Sequence, residues 1–135
     1  MRSDDWPMNW VGSMAFDMSI WKSEIRRGVV ELCLLTAVRE REGYGYEIIQ
    51  RIKQRSDIEL TESTVYPMLT RLANQGLLAT RLQKSPQGPA RRCFRLTADG
   101  KRKYEAMLEH WELFTESVSK MLVQNLNQGE SHDCS

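Results

Sequence analysis

The stretch "KSPQGPARRCFR" at residues 84–95 concentrates cations around a Pro-Gly-Pro loop. Lys84 stands before the loop, and Arg91 and Arg92 stand just after it. Guanidinium groups offer a fixed fork of donors that suits phosphate oxygens. The loop is therefore either ordinary solvated surface or an arm that reaches an anionic partner. A second polar group lies upstream in "TESTVYP", residues 61–67. The hydroxyls of Thr61, Ser63, Thr64 and Tyr66 can meet phosphates or base edges, although hydroxyls discriminate weakly between bases. Thr61 and Ser63 can equally be helix caps that accept free backbone N–H groups. Tyr44 poses the same choice, between a hydroxyl aimed at phosphate and a half-buried aromatic.

Nothing comparable points to bond-making chemistry. The chain carries no HExxH, P-loop, GxSxG or CxxC pattern. His110 and His132 are its only histidines, and no nucleophile pairs with a base. Neither catalysis nor a cofactor is expected.

The charge distribution favours the anionic partner. Net charge over all 135 residues is only +1. Residues 71–103, however, hold Arg71, Arg81, Lys84, Arg91, Arg92, Arg95, Lys101, Arg102 and Lys103 against Asp99 alone, a local +8. Residues 104–135 hold Lys120 against Glu105, Glu109, Glu112, Glu116, Glu130 and Asp133, a local −5. A basic block inside a near-neutral chain is what nucleic acid would select, and a solvated face is the plainer alternative. No apolar run approaches the ~20 residues of a membrane span, and the N-terminus lacks the pattern of a secretory signal. Cys33, Cys93 and Cys134 are odd in number and widely spaced, which argues against a disulfide framework and for a reducing, cytoplasmic setting.

The elements that position these groups follow from periodicity. Residues 1–22 hold three tryptophans (Trp6, Trp10, Trp21) and four methionines with no clean helical face, and form either a leader folded over the domain or a partly disordered extension. The apolar run "GVVELCLLTAV" predicts a core helix over 23–41, stopped by Gly43 in the left-handed conformation. A second helix spans 44–55, with Tyr46, Ile48, Ile49 and Ile52 inside. A third spans 61–75, with Val65, Met68, Leu69 and Leu72 inside and Gly76 closing it. Pro67 breaks a hydrogen bond there unless the helix starts late. Strands are expected at 77–82 and 91–97, joined by a loop longer than a tight turn, so that the hairpin projects. Arg92, Phe94 and Leu96 share one strand face, so Arg92 can pack inward and leave Arg91 and Lys84 as the exposed pair. Thr97 caps a long helix over 98–126 with apolar positions at Tyr104, Met107, Leu108, Trp111, Phe114, Val118, Met121 and Leu122. Residues 127–135 read as a disordered tail. The result is a mainly α fold with a small β-hairpin wing: a winged helix-turn-helix over 23–97 and a long C-terminal helix wide enough in its apolar stripe to serve a partner.

The blocks "STVYPMLTRLANQGLL" and "GPARRCFRLTADG" resemble the PadR family of bacterial transcriptional regulators. The residues that carry the likeness are Thr64, Tyr66, Pro67, Leu69, Leu72, Gly76, Leu77 and Leu78, then Gly88, Pro89, Arg91, Arg92, Phe94, Arg95, Leu96, Thr97 and Gly100. "GYGYEI" at 43–48 matches the start of the family's second helix, and the likeness covers about residues 21–122. Cys93 departs from the aromatic or lysine usual there. Residues 1–20 also exceed what the family needs, since "MSIWKSEIRRG" from Met18 already resembles a complete start.

The resemblance implies a homodimeric, ligand-responsive repressor that binds a double-stranded, pseudo-palindromic operator and controls an efflux or detoxification gene. It implies DNA contacts by Tyr44, Thr61, Ser63, Thr64, Tyr66, Arg71, Lys84, Arg91 and Arg92. It places Trp111 where a planar aromatic or hydrophobic effector stacks, with Ile25, Gly28, Leu108 and Thr115 beside it. Tyr104, Leu108, Trp111, Val118 and Leu122 form the dimer interface it implies, and Trp111 can be dimer core alone. Two other readings stand beside this one. A metal-sensing winged helix would use Cys33, Cys93, His110, His132 or Cys134, whose spacing matches no usual site. A protein–protein adaptor would bind nucleic acid only non-specifically.

Overall fold

The structure, a computed structural model, describes residues 16–131, with side chains through Val123. Residues 1–15 of the expected leader and residues 132–135 of the expected tail lie outside the described residues. The chain divides into two compact units, residues 1–31 and 32–135. In the first, helix α1 (Ser19–Glu40) begins four residues before the expected start. The Asp17 carboxylate accepts the Ser19 backbone N–H at 2.9 Å, and that bond lowers the Asp17 pKa from its usual value.

The second unit receives the C-terminal part of α1. After it come strand β1 (Gly43–Tyr44), helix α2 (Gly45–Arg55), helix α3 (Glu62–Asn74), strands β2 (Leu78–Ser85) and β3 (Gly88–Leu96), and helix α4 (Ala98–Ser131). The three strands form an antiparallel sheet in the order β1-β3-β2. Leu34, Leu35, Ile48, Val65, Leu69, Leu72 and Phe94 are the largest fully buried side chains of this core. Two from α1, one from α2, three from α3 and one from β3 converge, so burial of apolar area, rather than any single element's propensity, holds the unit together.

Several local expectations change. Gly43 does not stop α1 in the left-handed conformation; among the described residues only Gly76 has a positive φ, at 80°. Arg51 ends α1 instead, donating from Nη1 to the carbonyls of Ala37 at 2.6 Å and Arg41 at 2.7 Å. A Cβ at Gly43 would lie 3.1 Å from Glu47 Oε1 and 3.2 Å from Arg51 Nη2, so those side-chain ends would have to shift slightly to admit one. Glu47 Oε1 also accepts the Tyr44 N–H at 2.9 Å, closing the start of α2. Tyr46, expected inside, is 55% exposed; Gly45 takes the inner position beside Ile48, Ile49 and Ile52.

Helix α3 starts at Glu62, so the late start that would excuse Pro67 does not occur. Pro67 is the sixth helical residue and gives no N–H to the Ser63 carbonyl. The hairpin also closes differently. Strand pairing runs out to Ser85 and Gly88, leaving only Pro86 and Gln87 as the turn. Gln83 pairs with Arg91 and Ser85 with Gly88, so Lys84 faces two residues, Pro89 and Ala90. That β-bulge houses a proline that cannot join the ladder. The wing projects through the length of its strands, since every residue from Arg81 to Arg92 except Ser85 is exposed.

Thr97 caps α4 as the sequence suggests, accepting the Gly100 N–H at 3.0 Å and donating to the Gly76 carbonyl at 2.7 Å. Helix α4 runs to Ser131, past the expected end at 126, so residues 127–131 are helical rather than tail. Its 34 residues span about 50 Å. The start of α4 is pressed onto the α3–β2 connection at Gly100, where a Cβ would clash with the Leu77 carbonyl oxygen and lie 2.7 Å from Leu96 Cδ1. Backbone cannot swing aside as a side chain can. Gly100→Ala should therefore destabilise by about 3 kcal/mol or more, read as a lowered urea midpoint with an unchanged m-value.

Candidate nucleic-acid interface

The buried stripe of α3 is Val65, Leu69 and Leu72. At about 100° per residue, Ser63, Pro67, Thr70 and Asn74 line the opposite face, and all four are exposed. Arg71 and Thr64 border that open face and are also exposed. Thr61 occupies the N-cap position, with φ −99° and ψ 157°, but its side chain caps nothing. Its hydroxyl instead lies 2.9 Å from Ser63 Oγ and 3.1 Å from Thr64 Oγ1. The three hydroxyls form one exposed polar cluster at the positive end of the helix dipole. Thr70 and Asn74 were not singled out from the sequence, although their i, i+4, i+7, i+11 alignment with Ser63 and Pro67 was an available signal.

Tyr66 does not sit on the open face. Its ring lies over Gly45 at the start of α2, where a Cβ would come within 2.6 Å of Cζ and 2.9 Å of the hydroxyl oxygen. The ring remains 39% exposed. Gly45 is thus a packing position that the sequence left unmarked except by the Gly-Tyr-Gly spacing of "GYGYEI".

The wing brings its cations forward but not as the expected pair. Arg92 is exposed rather than packed inward, because the buried part of β3 begins only at Cys93. Lys84, Leu82 and Arg92 share one face by strand alternation, with Leu82 opposite Arg92 and 72% exposed. Arg91 lies on the other face, where its guanidinium stands 5.8 Å from the centroid of the half-buried Tyr44 ring. Tyr44 pairs with Cys93, so Arg91 is its diagonal neighbour across β1 and β3. Arg81, on the Arg91 face, is partly neutralised by Glu42 at 2.6 Å, an exposed pair worth little in stability.

The effector and dimer residues fall in different settings. Leu108 and Trp111 are exposed on α4, while Thr115 is half-buried and donates its hydroxyl to the Trp111 carbonyl at 2.9 Å. Ile25 and Gly28 belong to the first unit and are both exposed. Val118 and Leu122 are exposed on α4. Tyr104 is half-buried on α4, where its hydroxyl lies 3.3 Å from the Thr36 hydroxyl and its ring lies 5.6 Å under Arg39, so it contacts α1 of its own chain. Among the described residues no three His, Cys, Asp or Glu side chains gather as a metal site. Cys93 is buried, and burial pushes the Cys33 thiol up from its usual pKa. His132 and Cys134 lie outside the described residues. No helix among the described residues is long and apolar enough to cross a membrane.

Three helices, an exposed polar face on the third, and a two-stranded basic wing define a winged-helix DNA-binding protein of the transcription-regulator class. Residues 34–106, more than half of the chain, match the transcriptional regulator PadR-like family, and the chain belongs to it. A PadR-like transcription factor from Bacteroides fragilis is 32% identical, with a TM-score of 0.65 over 76% of this chain and 99% of that one. A PadR family transcriptional regulator from Eggerthella lenta is 30% identical, with a TM-score of 0.71 over 78% and 91%. An uncharacterized protein of Lysinibacillus sphaericus is 28% identical over 92 residues, which is 67% of this chain and 84% of that protein. The family is one of regulators that bind DNA, not of enzymes.

The Gly45–Tyr66 contact can be tested by sign. With Tyr66 present, Gly45→Ala should destabilise by ~1–3 kcal/mol through overpacking. In a Tyr66→Ala background the same change should be neutral or stabilising by up to ~1 kcal/mol, because alanine favours helix over glycine. A double-mutant cycle by urea unfolding gives the coupling directly.

Proposed function

We propose that this chain is a homodimeric, ligand-responsive repressor of an efflux or detoxification gene, acting in the cytoplasm on a pseudo-palindromic operator. The observation that carries the DNA part is the exposed Thr61–Ser63–Thr64 hydroxyl cluster at the N-terminal end of α3, in a chain whose exposed wing has cations on both faces. The first turn of α3 enters the major groove, where Ser63 and Thr64 meet phosphate or base edges. Tyr66, wedged on Gly45, fixes the angle of that entry. Arg71, Lys84 and Arg92 bind backbone phosphates, and Tyr44 holds Arg91 so that the two contact the backbone together.

The homodimer is supported by α4. From Leu108 to Val123 every residue except Thr115 is exposed, including Trp111, Phe114, Val118, Met121 and Leu122. Such a stripe, about a third of the helix circumference, is what a second copy covers in a closed dimer. Trp111, with Leu108 and Thr115, offers a planar aromatic or hydrophobic effector a stacking surface at the same place.

The test is fluorescence anisotropy with DNA from upstream of the gene, against scrambled DNA, at two salt concentrations. Specific binding should weaken with salt, and Arg91→Ala should lower affinity while reducing the salt slope by about 0.9, one phosphate's share. Trp111→Ala should retain operator binding. Equal affinity for scrambled DNA would overturn the specific repressor and favour an adaptor with non-specific binding. Separately, sedimentation equilibrium should give a dimer that Val118→Glu converts to monomer, with a wild-type Tm that rises with protein concentration.

A further inference from the structure

The joint between the C-terminal part of α1 and α2 contains a cavity of about 180 Å³ that the DNA-binding surface does not use. Its apolar wall is Ala37, Ile52, Ile58 and the half-buried Cys33, and Arg51 and Arg55 stand in its lining. The two hydroxyls that also line it are committed. Thr36 donates to the Leu32 carbonyl at 2.7 Å, and Ser56 donates to the Ile52 carbonyl at 2.9 Å while accepting the Ile58 N–H at 3.2 Å. The guanidinium groups therefore hold the donors with capacity to spare. Arg51 makes both of its carbonyl bonds through Nη1, which leaves Nη2 and Nε. Arg55 meets Glu40 alone, in an exposed ion pair.

An apolar wall beside two cations fits an amphiphilic anion. No aromatic ring lines the cavity, so nothing favours a stacked ligand over an aliphatic one. An apolar protein cavity of about 150 Å³ takes up benzene, so a six-carbon chain is the right scale. We propose that this cavity binds a short aliphatic monocarboxylate of about six carbons, its chain against Ala37, Ile52, Ile58 and Cys33 and its carboxylate on Arg51 and Arg55. The carboxylate competes with Glu40 for Arg55. It need not disturb the Arg51 bonds that close α1. The site stands apart from Trp111 and does not depend on the repressor reading.

The isoleucine δ1-methyl groups report on it. Full-length protein labelled at isoleucine is titrated, at constant ionic strength, with propanoate, butanoate, pentanoate, hexanoate, octanoate and 1-hexanol. Shifts should concentrate at Ile52 and Ile58 and leave Ile25 unmoved. Affinity should rise about fourfold per methylene up to hexanoate and then level off. Hexanol should bind at least tenfold more weakly than hexanoate. Glu40→Gln should tighten hexanoate two- to fivefold, roughly the worth of an exposed pair, and Arg55→Gln should weaken it; neither should change hexanol. Equal binding of hexanol and hexanoate would overturn the anion site. Absence of shifts at Ile52 and Ile58 would overturn the cavity as a site, and shifts at Ile25 alone would move binding elsewhere. Continued gain at octanoate would show that the chain is not enclosed there.

Discussion

The placement of α3 rests on a contact between a backbone and a ring. The Tyr66 ring lies where a side chain at position 45 would be, so α2 and α3 meet with no Cβ between them. That closeness fixes the open face of α3 relative to the rest of the core. It also couples two segments that look independent in the chain, because β1 and the start of α2 share Tyr44, and Tyr44 lies under Arg91 of the wing. Helix α3 and the wing are thus referred to the same few residues, 43–47.

Much of the fold was legible in the sequence, and the reasons are physical. The apolar run of α1 and the apolar stripes of α3 and α4 suit helices, Gly76 marks a left-handed stop, and Thr97 has the chemistry of a cap. What could not be read depends on partners distant in the chain. Strand β1 is two residues long and exists only through its pairing with β3. The end of α1 is closed by Arg51, fourteen residues beyond Ala37, so no local signal replaced the glycine stop. Tyr46 reads as inward because it is apolar and stands three residues before Ile49, whereas Gly45, which completes the i, i+3, i+4, i+7 face with Ile48, Ile49 and Ile52, has no side chain to mark it. In the candidate interface, residue types were legible and directions were not: Arg91 and Lys84 are both exposed, yet they stand on opposite faces of the wing.

Charge is sorted by element in the same structure. On α4, Glu105, Glu109, Glu112 and Glu116 fall along one line, on the side away from the apolar stripe. Arg81, Lys84, Arg91, Arg92, Arg95, Lys101, Arg102 and Lys103 lie in β2, β3 and the first turns of α4, against Asp99 alone. A near-neutral chain thus carries a strong local potential at its wing, and the acidic helix opposes non-specific attraction of nucleic acid along its own length.

The wing's bulge has a bearing on how this hairpin can vary in evolution. Below it, the ladder is pinned by Phe94 and Leu96 in the core, and a slip of one residue would turn Phe94 to solvent. Above it, only Ser85, Gly88 and the two turn residues remain. Insertions and deletions at Pro86–Gln87 therefore alter how far the tip extends, while the sidedness of Arg91 and Arg92 is inherited unchanged from the core. Reach and orientation are separate heritable variables in this wing, and only the first is free to drift.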